Sequence, residues 1–186
     1  VSIRKKGDKM TKAKTLVIAF LLCLITGAGV HAGNSIEAAG EVLTLLLPAT
    51  AAGITAYQKD GKGALQLVES VALTAAVTYG LKYTITESAP NGDSHSFPSA
   101  HTSLSFSSAE FLRKRYGWEY GLPAYAAATF VAVSRVEAKD HYVHDVLAGA
   151  AIGIASSYIF TKPYNGWNIQ AAAGEKYYGI KLSRAW

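Results

Sequence analysis

Ser134-Arg135-Val136-Glu137-Ala138-Lys139-Asp140-His141-Tyr142-Val143-His144-Asp145 is the most informative stretch of this 186-residue chain. Arg135 stands six residues before His141, and Asp145 four residues after it. Residues i and i+4 of a helix share a face. A carboxylate at Asp145 can therefore accept the proton on one ring nitrogen of His141 and leave the other unprotonated, aimed outward. An imidazole held in this way is a nucleophile or a base. In isolation the pair reads more simply as a helix N-terminal carboxylate with a surface His beside it. His144, on the turn after His141, points off that face and reads as a surface residue.

The surroundings favour the chemical reading. Arg135 offers a planar fork matched to phosphate oxygens. Upstream, Phe97-Pro98-Ser99-Ala100-His101 introduces a helix, so the backbone N–H groups of Ser99, Ala100 and His101 can face an anion. His101 adds a second imidazole, suited to protonating a leaving oxygen. Lys82 adds a point charge at a helix exit, where it also complements the helix dipole.

Five apolar segments carry these residues, and the pattern predicts helices near 36–57, 64–83, 99–115, 121–135 and 142–160. Pro48 is expected to kink the first. Asp60-Gly61-Lys62-Gly63 and Pro90-Asn91-Gly92-Asp93 read as loops, and 116–123 as a tight connection. Gly149 and Gly153, four apart, permit close helix contact. After Pro163 the chain changes character. Residues 177–186 read as a terminal strand, in a hairpin with 167–173. The expected fold is all-α: a compact bundle of about five core helices after an N-terminal signal or anchor helix, ending in a short strand or hairpin. The expected divisions are a leader over 1–32, a helical domain over 33–162 and an extension over 163–186.

Composition narrows the function. Half the residues are hydrophobic and 17% are charged, with a formal charge of +5. The positive charge forms no stripe interleaved with aromatic residues, so nucleic acid is not an expected partner. Lys12 and Lys14, the apolar run 15–26 and the small-residue site Val30-His31-Ala32 have the form of an export signal, with translation starting at Met10 and an uncleaved membrane anchor as the rival reading. Cys23 is the single Cys, so no disulfide and no Cys-based metal site is expected. Lys59, Lys62 and Arg113-Lys114-Arg115 fall in alternate joints, as the positive-inside rule requires of a multi-pass protein. Against spanning, the third and fourth apolar segments run only about 14 residues, roughly 21 Å, short of a core about 30 Å thick. A compact exported, periplasmic bundle resting on a membrane is the expectation, with a multi-pass inner-membrane protein as the alternative.

These blocks resemble the type-2 phosphatidic acid phosphatases, which are related to bacterial class A acid phosphatases and vanadium haloperoxidases. Ser134, Arg135, His141 and Asp145 match the third block of that family fully. Pro98-Ser99-Ala100-His101 is similar to its Pro-Ser-Gly-His block, with Ala100 for Gly. Lys82 and Pro90 represent its Lys, six residues, Arg-Pro block, with Ala89 in place of Arg. The resemblance implies that His141 attacks phosphorus to form a phosphohistidine. It implies that Asp145 orients His141, that His101 protonates the leaving group, and that Lys82, Arg135, Ser99 and Ala100 hold the phosphoryl oxygens. No metal and no other cofactor is implied. The implied substrate is a lipid phosphate or polyprenyl diphosphate at a membrane, with a soluble organic phosphate as the alternative. Ala89 leaves open a weakened or inactive member of the family; Asn91 or His95 could partly fill the gap, although each reads more simply as a solvated loop position. A vanadate-dependent oxidase would draw on the same residues.

Overall fold

Each apolar segment becomes a helix in the computed structural model, which describes residues 34–164, 167–174 and 177–184. The helices are α1 (Asn34–Tyr57), α2 (Gly61–Thr84), α3 (Ala100–Tyr116), α4 (Trp118–Glu137) and α5 (Val143–Phe160). The chain ends in β1 (Trp167–Gly174) and β2 (Tyr177–Arg184), an antiparallel hairpin pairing Trp167 with Arg184 and Gly174 with Tyr177. The all-α bundle with a terminal hairpin is as expected. The leader read over 1–32 lies outside the described residues.

Local chemistry sets the helix ends. Asp60 caps α2, its side chain accepting from the Gly63 N–H at 2.9 Å. Ser99 caps α3 by accepting from Thr102. Gly117, at φ +100°, turns the chain between α3 and α4. The 116–123 connection is shorter than expected. The connection is one residue long, and α4 begins at Trp118 rather than near 121. Gly121 is a packing residue, not a turn residue: a Cβ there would stand 2.8 Å from the Cα of Arg113. Pro48 sits inside a continuous α1.

α3 is central and packs against the other four helices. Leu43, Leu47 and Ala51 of α1, Phe111 and Leu112 of α3, and Ala124, Ala128 and Val131 of α4 form the apolar core. The α3–α5 contact is different in kind. A Cβ on Gly149 would lie 2.6 Å from the Ser99 carbonyl oxygen, and one on Gly153 only 2.2 Å from that of Ser103. The two glycines, read as a close-contact pair, let the backbones nearly touch.

The distribution of polarity is inverted relative to a water-soluble bundle. Ser70, Thr74, Thr78, Ser103, Ser107 and Ser157 are buried. Thr74 pairs with Ser107 at 3.0 Å and Thr78 with Ser103 at 2.9 Å across the α2–α3 contact. Meanwhile Leu45, Leu65, Val68, Leu147 and Ile159 are each at least 60% exposed. Small hydroxyl residues inside and large apolar residues outside are what helices surrounded by lipid require. Among the described residues, Ser35–Tyr57, Gly61–Thr84 and Val143–Phe160 are long and apolar enough to cross a membrane.

The two ends of the bundle also differ. At the end where α2 begins, the buried Arg115 binds Asp60 through Nε at 2.7 Å and the Lys162 carbonyl through Nη1 at 2.7 Å, while the Tyr116 hydroxyl donates to Asp60 at 2.9 Å. This network ties the α1–α2 joint to the ends of α3 and α5. The opposite end gathers the exit of α2, the start of α3, the exit of α4 and the start of α5. Those are the four places where the sequence put its chemistry.

Candidate active site

Asp145 is the organising group. It lies in the first turn of α5, wholly buried, and its Oδ2 accepts from the Tyr142 N–H at 2.9 Å, which closes the start of the helix. The same oxygen is 3.3 Å from Nδ1 of His141, which is 8% exposed. The expected His–carboxylate pair is therefore present, with Nδ1 turned inward. Chemically, this leaves Nε2 as the nitrogen free to meet an electrophile.

Ser96, which the sequence reading did not single out, completes this cluster. Its hydroxyl donates to Asp145 Oδ2 and lies 3.3 Å from His141 Nδ1. No periodic pattern marks it, because it sits in the loop before Pro98 and reaches Asp145 across 49 residues of sequence.

Burial and the Lys82 ammonium hold the His141 imidazole below its ordinary value of 6.5, against the opposing pull of Asp145. The neutral ring therefore persists to lower pH than an exposed His would allow. The acid limb of a pH–rate profile should lie below 6.5. Ser96→Ala would leave Asp145 Oδ2 to His141 and the Tyr142 N–H, and would strengthen the pairing to imidazolium. We expect kcat/KM to fall roughly tenfold, the loss of about one hydrogen bond, and the acid limb to move to higher pH. An unmoved limb would show that Ser96 only packs.

The cations are fixed by the backbone. Lys82, in the last turn of α2, donates to the carbonyl of His95 and, at 3.2 Å, to that of Ser96. Arg135 is 1% exposed. Its Nη2 donates to the Glu37 carbonyl at 2.6 Å, its Nη1 to Asp140 at 3.1 Å and its Nε to Ser134 Oγ at 3.3 Å. A guanidinium has five N–H donors, so one on each Nη remains for two oxygens of a bound anion. Neither Glu37 nor Asp140 could be found by motif. The first acts through its carbonyl, and the second is a loop acid with no distinguishing spacing. Gly40 of α1 is needed for the same reason: a Cβ would stand 1.9 Å from Ser134 Oγ and 3.1 Å from Arg135 Nη2.

His101 lies in the first turn of α3, close enough to Arg135, Glu41, Asp140 and Lys82 to feel their charges, and close enough to affect His141. Ser99 departs from expectation. Its N–H donates to the Asp145 carbonyl at 3.1 Å instead of facing an anion, and its hydroxyl accepts from Thr102 as the helix cap. It holds the second and third sequence blocks together. Ala100 and His101 are the first two residues of α3, so their N–H groups have no acceptor within the helix.

Ala89 is buried in a tight loop, its N–H donating to the Asp93 carbonyl at 2.7 Å and its own carbonyl accepting from Gly92. Asn91 does not fill the gap: its side chain bonds Asp93 at 3.1 Å and Asp140 at 3.3 Å. His95 adopts φ +61° and packs on Tyr83. His144 is exposed, as read, and pairs with Glu87 at 2.8 Å.

The model of the PAP2 superfamily matches residues 63–168, which contain all three blocks. The chain belongs to the PAP2 superfamily. This PAP2 chain is 29% identical over 199 residues to a lipid A 4'-phosphatase of Helicobacter pylori, covering 95% of this chain and 100% of that protein. It is 31% identical over 138 residues to a lipid A 1-phosphatase of Porphyromonas gingivalis, covering 69% of this chain but only 30% of that longer protein. Its fold is similar to the crystal structure of Aquifex aeolicus LpxE, with a TM-score of 0.58 and 21% identity over 76% of this chain and 92% of that one. It is also similar to a transmembrane PAP2-type phosphatidylglycerolphosphate phosphatase from Bacillus subtilis, with a TM-score of 0.51 and 23% identity over 79% of this chain and 93% of that one. The resemblance read from the three blocks and the all-α architecture both hold.

Proposed function

We propose that the chain is a membrane-embedded lipid phosphatase that transfers phosphate through a phosphohistidine on His141. The observation that carries this reading is the buried His141–Asp145 pair, with Nδ1 on the carboxylate and two anchored cations, Lys82 and Arg135, at the same end of the bundle. In this reading Nε2 attacks phosphorus in line with the ester oxygen. Lys82, the two remaining Arg135 N–H groups and the amides of Ala100 and His101 hold the equatorial oxygens, where negative charge accumulates. His101 gives its proton to the departing oxygen, then takes one from the water that cleaves the phosphohistidine. Ser99 positions and does not bind. No metal is assigned to the reaction.

The outward apolar faces of the helices support embedding in a bilayer over a bundle resting on its surface. Lys59, Lys62, Arg113, Lys114 and Arg115 gather at the end away from His141, which by the positive-inside rule orients the site toward the periplasm. For substrate, the lipid A phosphatases among its relatives make a phosphorylated glycolipid the first choice. The test is phosphate release from purified protein with lipid A, phosphatidylglycerol phosphate, phosphatidic acid, a polyprenyl diphosphate and an aryl phosphate. Release from lipid A ahead of the others supports the reading. Release from the aryl phosphate alone would favour a soluble-substrate acid phosphatase, and release from none would overturn an enzymatic role.

Ala89 motivates a second reading, an attenuated or inactive member. One charge-assisted hydrogen bond contributes about 1.5–3 kcal/mol. Ala89→Arg should therefore raise turnover by roughly 10- to 150-fold if the enzyme is merely weakened. Continued silence with retained vanadate binding would indicate a binding protein.

A further inference from the structure

We infer that Glu87, His144 and Asp145 form a site for a divalent transition-metal ion of the zinc type, set behind the nucleophile, and that its occupancy restrains turnover. Glu87 Oε1 lies 2.8 Å from His144 Nε2, and His144 Nε2 lies 3.1 Å from Asp145 Oδ1. The three donor atoms all fall within 4.8 Å of one another. Tetrahedral zinc with bonds of about 2.0–2.2 Å spaces its ligand atoms roughly 3.3 Å apart. A small opening of the cluster accommodates it.

Asp145 itself points to a ligand. Its Oδ2 is saturated by Ser96, His141 and the Tyr142 N–H. Its Oδ1 is equally buried, yet has no hydrogen-bond partner among the described residues. His144 approaches Oδ1 but not along a hydrogen-bonding direction. A buried carboxylate oxygen facing an imidazole nitrogen and a second carboxylate is short of one cation.

The cluster is also ordered in advance. The His144 ring stacks on Tyr142 at 5.5 Å and 8°, and on Phe97 at 6.1 Å and 28°. The Glu87 carbonyl accepts from the Ser96 N–H at 2.8 Å, which anchors its loop to the active-site wall. One neutral imidazole and two carboxylates neutralise a divalent ion and suit zinc or its borderline neighbours, with water at the open position. His144 and Glu87 are partly exposed, so an ion has access from outside the bundle. A cation on Oδ1 withdraws charge from the carboxylate that orients His141. The pairing at Nδ1 weakens, and so does the ring as a nucleophile.

The test uses full-length protein in detergent, without a polyhistidine tag and stripped by a chelator, compared with the Glu87→Gln/His144→Gln double variant. Zn²⁺ binding is read by calorimetry, Co²⁺ binding by visible absorption, and turnover against free Zn²⁺. We expect one zinc per chain, turnover falling as zinc binds, and binding weakened about 100-fold in the double variant, whose zinc-free turnover is kept. Equal zinc binding by both proteins, or none by the native chain, would overturn the site and leave His144 as the partner of Glu87 alone. Zinc that binds through these residues without slowing turnover would overturn the restraint. The metal readouts do not depend on catalysis, so a chain without phosphatase activity would fail the functional reading and leave this one standing or falling alone.

Discussion

Replacing His141 by Ala is expected to lower phosphate release by about 10⁴-fold or more, the scale seen when a covalent nucleophile is removed. Cations and helix amides can still bind the phosphoryl group, but among the described residues no other imidazole is paired with Asp145 through its Nδ1. His101, though nearby, sits on a different helix and lacks that carboxylate. The substitution should leave the fold intact. His141 hydrogen-bonds within the pocket to Asp145 and Ser96, and Asp145 would keep its bonds to Ser96 and Tyr142. His141→Asn retains a donor toward Asp145 and should be equally inactive, which separates nucleophilicity from hydrogen bonding. Helical circular dichroism and thermal unfolding of both variants should match the native protein. Turnover in the His141→Ala protein within tenfold of native would assign the attack elsewhere.

Arg135→Ala has the second largest expected effect, and it acts on two quantities. The guanidinium is held by Glu37, Asp140 and Ser134, and Glu41 lies 3.9 Å away. Two of its N–H groups remain for phosphate, and a bidentate pair to a developing charge is worth several kcal/mol. We expect kcat/KM to fall by about 10²–10³-fold. Removal also takes one partner from the Glu37 carbonyl and one from Asp140, which is 28% exposed and keeps its bond to Asn91, so stability should drop by about 1–3 kcal/mol. Arg135→Lys separates the two effects. A lysine ammonium restores a charge near Asp140 and much of the stability, but it cannot present a planar fork, so kcat/KM should stay at least about tenfold low. Full recovery of activity in the Lys variant would reduce Arg135 to a structural cation.

The grouping of the candidate site residues was largely legible in the sequence because several of them are local. Arg135, His141 and Asp145 fall within one turn-and-helix passage, and a reader of spacing can place all three. The residues that hold them were not legible, for reasons of distance and type. Ser96 reaches Asp145 from another loop, Glu37 contributes a backbone atom, and Gly40 matters for what it lacks. The start of α4 was misread because Gly121 and Pro123 carry the signals of a turn. In fact Gly121 serves the close approach of α3, which only the packing reveals. Only the third and fourth segments look short in the sequence, about 14 residues each; α3 and α4 run 17 and 20 residues, and serines interrupt the apolar pattern of α3. Those residues face inward and bond across helices, as Ser107 does with Thr74 and Ser103 with Thr78. The lipid-facing surface stays apolar while the average along the chain is diluted.

The proposed mechanism turns on a covalent bond between phosphorus and His141. The direct measurement is rapid mixing of the protein with a substrate labelled in the phosphoryl group, followed by an alkaline quench, which preserves phosphohistidine, and peptide mapping. The expected result is label on the peptide containing His141, formed at least as fast as phosphate is released and absent from the His141→Ala protein. Turnover of the native chain with no label on any histidine, or label that survives in His141→Ala, would contradict the account.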